Sequence, residues 1–234
     1  MGVFHMVYAI LLSGGIGSRT GFDIPKQFIS INNKPLLVHC IEKFIKVSEF
    51  KKIIVSSPKD FLIETKKLTN NFFPNEERLV VIEGGHTRQD TLIKSIEFIN
   101  KLIDDDACII CHDAARIFVS INQIESCIKY TKEYGAASPV IPTTDVIIET
   151  ENNHVSRMPN RYDMVHVQTP QGFYMNEYIK LYNNLNSEDS LSVHEIIRVY
   201  YLSKKNVFLF EGEKINFKIT NAIDIEIAKN ILTE

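Results

Sequence analysis

Short, continuously apolar runs that alternate with helical patterns constrain the fold of this 234-residue chain more than any other feature. The patterns predict strands at 7–12, 52–57, 79–83, 107–111, 136–141 and 207–210. They predict helices near 35–46, 59–70, 88–102, 121–134, 175–184, 190–203 and 222–232. The apolar runs lack the polar alternation of a half-buried strand, so both faces of the sheet must be covered, and helices between strands supply that cover. The expectation is an α/β, Rossmann-like, mainly parallel sheet with helices on both faces. One segment, 143–170, breaks the rhythm: 146–150, a polar turn at Glu151-Asn152-Asn153, and 154–158 read as a hairpin. The length suits one domain over 1–234 that carries 143–170 as a β-arm, the kind of excursion that packs against a second subunit.

Ligands in such sheets bind beyond the carboxyl ends of the strands. Three segments directly follow predicted strands and so share that rim: Ser13-Gly14-Gly15-Ile16-Gly17-Ser18-Arg19, Gly84-Gly85 and His112-Asp113. A glycine turn leaving a buried strand exposes backbone N–H groups and lets them approach a phosphate. Arg19 and the Lys26 of Pro25-Lys26-Gln27-Phe28 set two cations beside it. Together these suggest a nucleoside triphosphate site for phosphoryl or nucleotidyl transfer, although a glycine turn alone is also ordinary punctuation between strand and helix. No Gly-Lys-Ser/Thr occurs, which excludes a Walker A loop. Thr20 stands where a dinucleotide fingerprint needs its last glycine, and the run 52–57 ends without an acid, which disfavours a nicotinamide cofactor.

A net charge of −3 gives no electrostatic reason to expect nucleic acid as a partner, and no apolar run approaches the length that spans a bilayer. With no basic, apolar leader at the N-terminus, a cytoplasmic location is expected. Cys108-Ile109-Ile110-Cys111-His112 matches the c-type haem attachment pattern, but it lies in a predicted central strand. Cys40, Cys108, Cys111 and Cys127 are therefore expected to be buried, reduced and structural.

Four further segments join the opening turn. They are Gly84-Gly85-His86-Thr87-Arg88-Gln89-Asp90-Thr91, His112-Asp113-Ala114-Ala115-Arg116, Met158-Pro159-Asn160-Arg161 with Gln168-Thr169-Pro170-Gln171, and Asn216-Phe217-Lys218-Ile219-Thr220. In this order and spacing the chain, from about Val7 to its end, resembles the alditol-phosphate cytidylyltransferases, whose branches use ribitol 5-phosphate or 2-C-methyl-D-erythritol 4-phosphate. The resemblance implies that a phosphate oxygen of the acceptor attacks the α-phosphorus of CTP and expels pyrophosphate. Two anions must then meet, so positioning and charge neutralisation dominate. It further implies catalytic roles for Arg19 and Lys26, and nucleotide binding by Leu12, Ser13, Gly14, Gly15, Gly17, Gly85, Arg88, Thr91 and Ala114. Asp113, Arg116, Arg161 and Lys218 are implied to bind the acceptor, with Asp113 also near Mg²⁺. Lastly, it implies a homodimer through the β-arm, in which Arg161 reaches the neighbour's site.

Each residue also has a plainer reading. Arg88 and Arg116 suit helix-surface cations, Lys218 a snorkelling side chain, and His112 a satisfied structural histidine. His39 falls on a helix, and Leu92, Ile96, Ile99 and Ile103 form a core stripe. Several positions depart from the family pattern: His86, Ile117, Val146, and the run Leu191-Ser192-Val193-His194. Val146 and Val193 are expected to remove polar contacts at the acceptor end. Ser-Gly-Gly in the opening turn, Pro159-Asn160-Arg161 and the context of Lys218 favour ribitol 5-phosphate as acceptor, with methylerythritol 4-phosphate, or another polyol phosphate, as the alternative.

Overall fold

The structure, a computed structural model, describes residues 5–14 and 25–233. Its strands are β1 (Met6–Leu12), β2 (Ser30–Ile31), β3 (Lys34–Pro35), β4 (Phe50–Ser57), β5 (Leu79–Glu83), β6 (Ala107–Asp113), β7 (Ala136–Pro142), β8 (Glu149–Glu151), β9 (His154–Arg157), β10 (Val165–Val167), β11 (Gln171–Tyr174) and β12 (Phe208–Glu211). The α-helices are α1 (Leu36–Ile45), α2 (Leu62–Phe72), α3 (Arg88–Asn100), α4 (Ile121–Tyr134), α5 (Met175–Asn183), α6 (Ser187–Leu191), α7 (Ile196–Leu202) and α8 (Ala222–Thr233).

The main sheet runs β10-β7-β11-β6-β1-β4-β5, with β12 also pairing β7. The pairs β6–β1, β1–β4, β4–β5 and β7–β12 are parallel, while β10 and β11 run antiparallel to their neighbours. Alternate residues of β1 enter different layers: Val7, Ala9 and Leu11 pack with α1 and α4, and Tyr8, Ile10 and Leu12 pack with α3, α5 and α7. Both layers are closed, which is why β1 reads as an unbroken apolar run. Each such Ile or Leu contributes about 1.5–3 kcal/mol on burial.

Register fixes the functional rim. Leu12 lies opposite Ser56 on one side and Asp113 on the other, and Ser57 lies opposite Glu83. The residues after β1, β5 and β6 therefore emerge side by side. The predicted strand 107–111 is two residues too short, because pairing with β1 carries the ladder through His112 and Asp113. The predicted helix 190–203 is two helices. Ser192 turns its hydroxyl back onto the Asp189 carbonyl at 2.7 Å, the β-branched Val193 inserts into the core, and Glu195 is extended. Val193 is thus core beneath α7 and not part of an acceptor wall, which corrects that expectation.

The hairpin within 143–170 is β8–β9, closed by Asn152 and Asn153 at φ 50° and 64°. Asparagine tolerates this left-handed backbone because its short polar side chain bonds locally.

Candidate active site

The rim encloses a cavity of about 210 Å³, bounded by Leu12–Gly14, Lys26, Gly85, Arg88, Asp113 and Lys218 among others. Each wall follows from local chemistry. Ser13 donates both its amide and its hydroxyl to the Ser56 carbonyl, at 3.1 and 2.8 Å, which ties the end of β1 to β4. Gly14 carries the chain on with Thr91 close by. A Cβ on Gly85 would collide with the Asp90 side chain and lie 2.8 Å from the Thr91 amide, so only glycine lets this loop pass the first turn of α3. Thr91 is buried: its hydroxyl accepts from the Gly85 amide at 3.0 Å and donates to the Thr87 carbonyl at 2.8 Å. A capping box starts α3. Thr87 Oγ1 accepts from the Asp90 amide at 3.0 Å and Asp90 Oδ2 from the Thr87 amide at 3.1 Å, which places Arg88 at the helix entrance.

Asp113 is the hub. It is 5% exposed. Its Oδ1 lies 3.2 Å from Arg88 Nε, and its Oδ2 lies 2.8 Å from Lys218 Nζ and 3.8 Å from Arg116 Nε. Burial alone would raise the Asp113 pKa, but Arg88, Lys218 and Arg116 outweigh it and hold the carboxyl well below the usual range, so it is ionised. Arg88 continues outward, donating to the His194 carbonyl at 3.2 Å and standing 3.4 Å from Glu195. Burial pushes the Glu195 carboxyl up, against the pull of Arg88.

Behind the hub, Thr169 Oγ1 accepts from the Asp113 amide at 3.1 Å and donates to His112 Nδ1 at 2.9 Å. His112 Nε2 then donates to the Arg116 carbonyl at 3.0 Å. With Nδ1 accepting and Nε2–H donating, His112 is a neutral imidazole, and burial pushes its pKa down to about 4. It is a structural histidine. His39, on α1, likewise bonds the Ile31 carbonyl.

Lys26 stands on the 3₁₀ turn Lys26–Phe28, and its Nζ reaches the Ile219 carbonyl at 3.3 Å. Ala114 donates its amide to the Leu12 carbonyl at 3.1 Å, fastening the two strand ends. Arg116 donates Nη1 to the Asn216 carbonyl at 2.9 Å. Most of the expected site residues thus converge: Leu12, Ser13, Gly14, Lys26, Gly85, Arg88, Thr91, Asp113, Ala114 and Lys218 line one cavity, and Arg116 touches its hub. Arg161 does not join them. It lies exposed on the arm, over the ring of Tyr162. Gly15, Gly17 and Arg19 lie outside the described residues.

Sequence reasoning missed Glu195, hidden inside a supposed helix, and Thr169, quoted only as part of a motif. It also missed Gln27, which lines the cavity with neither amide atom hydrogen-bonded among the described residues. The four cysteines are free and buried, and burial pushes the Cys108 and Cys111 thiols up to about 12, as inert structural thiols require. As a metal ligand Asp113 fits poorly. Both its oxygens already face cations, and among the described residues no three His, Cys, Asp or Glu side chains converge.

A cation-lined pocket at the carboxyl ends of parallel strands, with Gly14 and Gly85 on its wall, suits the phosphates of a nucleotide. The family model for 2-C-methyl-D-erythritol 4-phosphate cytidylyltransferase matches residues 7–234, and the chain belongs to that family of CTP-dependent cytidylyltransferases. Solved structures agree in fold. The 2-C-methyl-D-erythritol 4-phosphate cytidylyltransferase of Francisella tularensis is 28% identical, covering 95% of this chain and 97% of that one at a TM-score of 0.76. The 4-diphosphocytidyl-2C-methyl-D-erythritol synthase of Anaerococcus prevotii is 20% identical, covering 98% and 97% at 0.81. The Thermus thermophilus cytidylyltransferase is 24% identical, covering 98% and 100% at 0.74. No helix among the described residues is long and apolar enough to cross a membrane.

Proposed function

We propose that this cytidylyltransferase transfers CMP from CTP to 2-C-methyl-D-erythritol 4-phosphate. The observation that carries the reading is the family match across residues 7–234, joined to the Asp113 hub of cations at the cavity wall. The expectation of ribitol 5-phosphate finds no support among these matches, and the acceptor is assigned to the alternative.

In this reading an acceptor phosphate oxygen bonds to the α-phosphorus of CTP as the bond to the β-phosphate oxygen breaks, and pyrophosphate carries away the electron pair. The acceptor phosphate is already ionised, so no general base is needed, in keeping with a neutral, walled-in His112. Lys26 and Arg19 neutralise the charge gathering on the α-phosphate. Lys218 and Arg116 receive the acceptor's phosphate, and Asp113 holds these cations in place beforehand. Magnesium carried with CTP would help to neutralise the triphosphate, while Asp113, already held by cations, orders Lys218 and Arg116. The β-arm, with Val155 62%, Met158 67% and Tyr162 81% exposed, is assigned to a homodimer contact that delivers Arg161 to the neighbouring site.

Pyrophosphate release, measured with CTP, Mg²⁺ and each acceptor in parallel, tests the reading. Turnover is expected with methylerythritol 4-phosphate in preference to ribitol 5-phosphate, and Lys26→Ala is expected to cut it by about 10²–10³-fold without unfolding the protein. Preference for ribitol 5-phosphate would overturn the acceptor assignment, and a fully active Lys26→Ala would remove the role given to that lysine.

A further inference from the structure

The segment 212–221, which brings Lys218 to the cavity, contains no helix or strand, so no backbone ladder fixes it. The Gly212 amide meets the Val140 carbonyl at 2.8 Å and Ser120 donates to the Glu213 carboxylate, and further ties run through buried amide side chains. Asn216 is fully buried. Its Nδ2 donates to Gln123 Oε1 on α4 at 3.0 Å and to the Thr169 carbonyl at 2.8 Å. Its own carbonyl accepts from Arg116 Nη1 at 2.9 Å and from Gln168 Nε2 at 3.3 Å. Gln168 fastens the segment's start, accepting from the Glu213 amide at 3.1 Å and donating to the Glu213 carbonyl at 2.8 Å. Two residues beyond Asn216, Lys218 meets Asp113, and one further on Ile219 donates to the Ala115 carbonyl at 2.9 Å and receives Lys26.

We propose that Asn216 is a positioning residue for the transfer reaction, acting through Lys218: with Gln123 and Gln168 it forms a buried amide clamp that holds the Lys218 ammonium where the acceptor's phosphate binds. The inference rests on the reading of Lys218 given above. Lys218 is long, and its side chain is 34% exposed. Without a fixed backbone its ammonium would be spread over many rotamers, and ordering it would be charged to acceptor binding. The clamp makes that payment at folding. The same Thr169 receives the Asp113 amide on its hydroxyl and Asn216 on its carbonyl, so lysine and carboxylate are set by one frame.

A double-mutant cycle tests this, with kcat and KM for methylerythritol 4-phosphate and the melting temperature measured for wild type, Asn216→Ala, Lys218→Ala and the double variant. Asn216→Ala alone is expected to lower kcat/KM by about tenfold or more, mainly through KM. In the Lys218→Ala background it is expected to cost less than about threefold, because the group it positions is gone. Equal losses in both backgrounds, or a lowered melting temperature with unchanged kcat/KM, would reduce Asn216 to a structural residue and overturn the proposal. Should Asn216→Ala not fold, the same cycle with Gln123→Met, which removes one acceptor of the clamp from α4, decides by the same non-additivity. A Lys218→Ala enzyme with wild-type kcat/KM would instead strike at the assigned role of Lys218, and the positioning proposal would fall with it.

Discussion

Two ion pairs in this molecule have similar chemistry and opposite settings. On the arm, Arg157 Nη1 approaches Glu149 Oε1 to 2.8 Å, with the two side chains 69% and 54% exposed. At the rim, Arg88 Nε stands farther from Asp113 Oδ1, at 3.2 Å, with the side chains 21% and 8% exposed. The shorter contact is the weaker one. Water screens the arm pair and both side chains give up freedom to form it. The rim pair is withdrawn from water, so each charge there depends on the others, and removing one leaves the rest uncompensated. Distance reports geometry, whereas burial decides how much the geometry costs to break.

The largest test of this contrast is at Asp113. Asp113→Asn keeps the shape and removes the charge, leaving Arg88, Arg116 and Lys218 crowded without their shared counter-ion. The expected loss is about 3 kcal/mol of unfolding free energy, read from denaturant midpoints at neutral pH, together with a severe loss of turnover. A loss below about 1 kcal/mol would put the rim in the same class as a surface pair.

His112 sharpens the comparison through pH. Its folded pKa is pushed down to about 4, against about 6.5 for an unfolded histidine. Between those values the unfolded chain binds the proton and the folded one refuses it, so stability is full above pH 6.5 and drains away as the pH falls toward 4. The total is on the order of 3 kcal/mol. His112→Gln retains a donor for the Arg116 carbonyl but cannot titrate. Its unfolding free energy is expected to fall less steeply between pH 6.5 and 4.5 than that of wild type. Parallel slopes would mean that His112 takes up its proton as readily in the folded protein as in the unfolded chain, so that burial does not depress it.

What could be read in the sequence divides along similar lines. The strands β1, β4 and β6 were legible because burial on both faces leaves a continuous apolar run. The helical pattern near 88–102 marked α3, whose start the structure ties to a Thr87–Asp90 capping box. Asp113 and Lys218 could be picked out by motif, although nothing local says that they touch. β11 was illegible: four residues, Gln171-Gly172-Phe173-Tyr174, carry no pattern, and their strand character comes from pairing with β6 and β7. The burial of Gln123, Gln168 and Asn216 was illegible for the opposite reason, although the last two fall within motifs. Their type suggests surface, and only partners 45 to 93 residues away make their burial tolerable. Glu195 was lost because helical periodicity runs on through the break at Ser192 and Val193 that delivers it to Arg88.

The smallest effect is expected on the arm, and there it carries the most information about a partner. Glu149→Gln breaks the 2.8 Å pair with Arg157, yet in an isolated chain the unfolding free energy is expected to change by no more than about 0.5 kcal/mol, because water replaces what the pair supplied. The measurement is best made across a wide range of protein concentration. A near-silent variant at every concentration fits an arm whose charged edge stays in solvent even if its apolar residues dock. A loss above about 1 kcal/mol that appears only at high concentration would mean that a second copy covers Glu149 and Arg157, which would move this exposed pair into the buried class that the rim now represents.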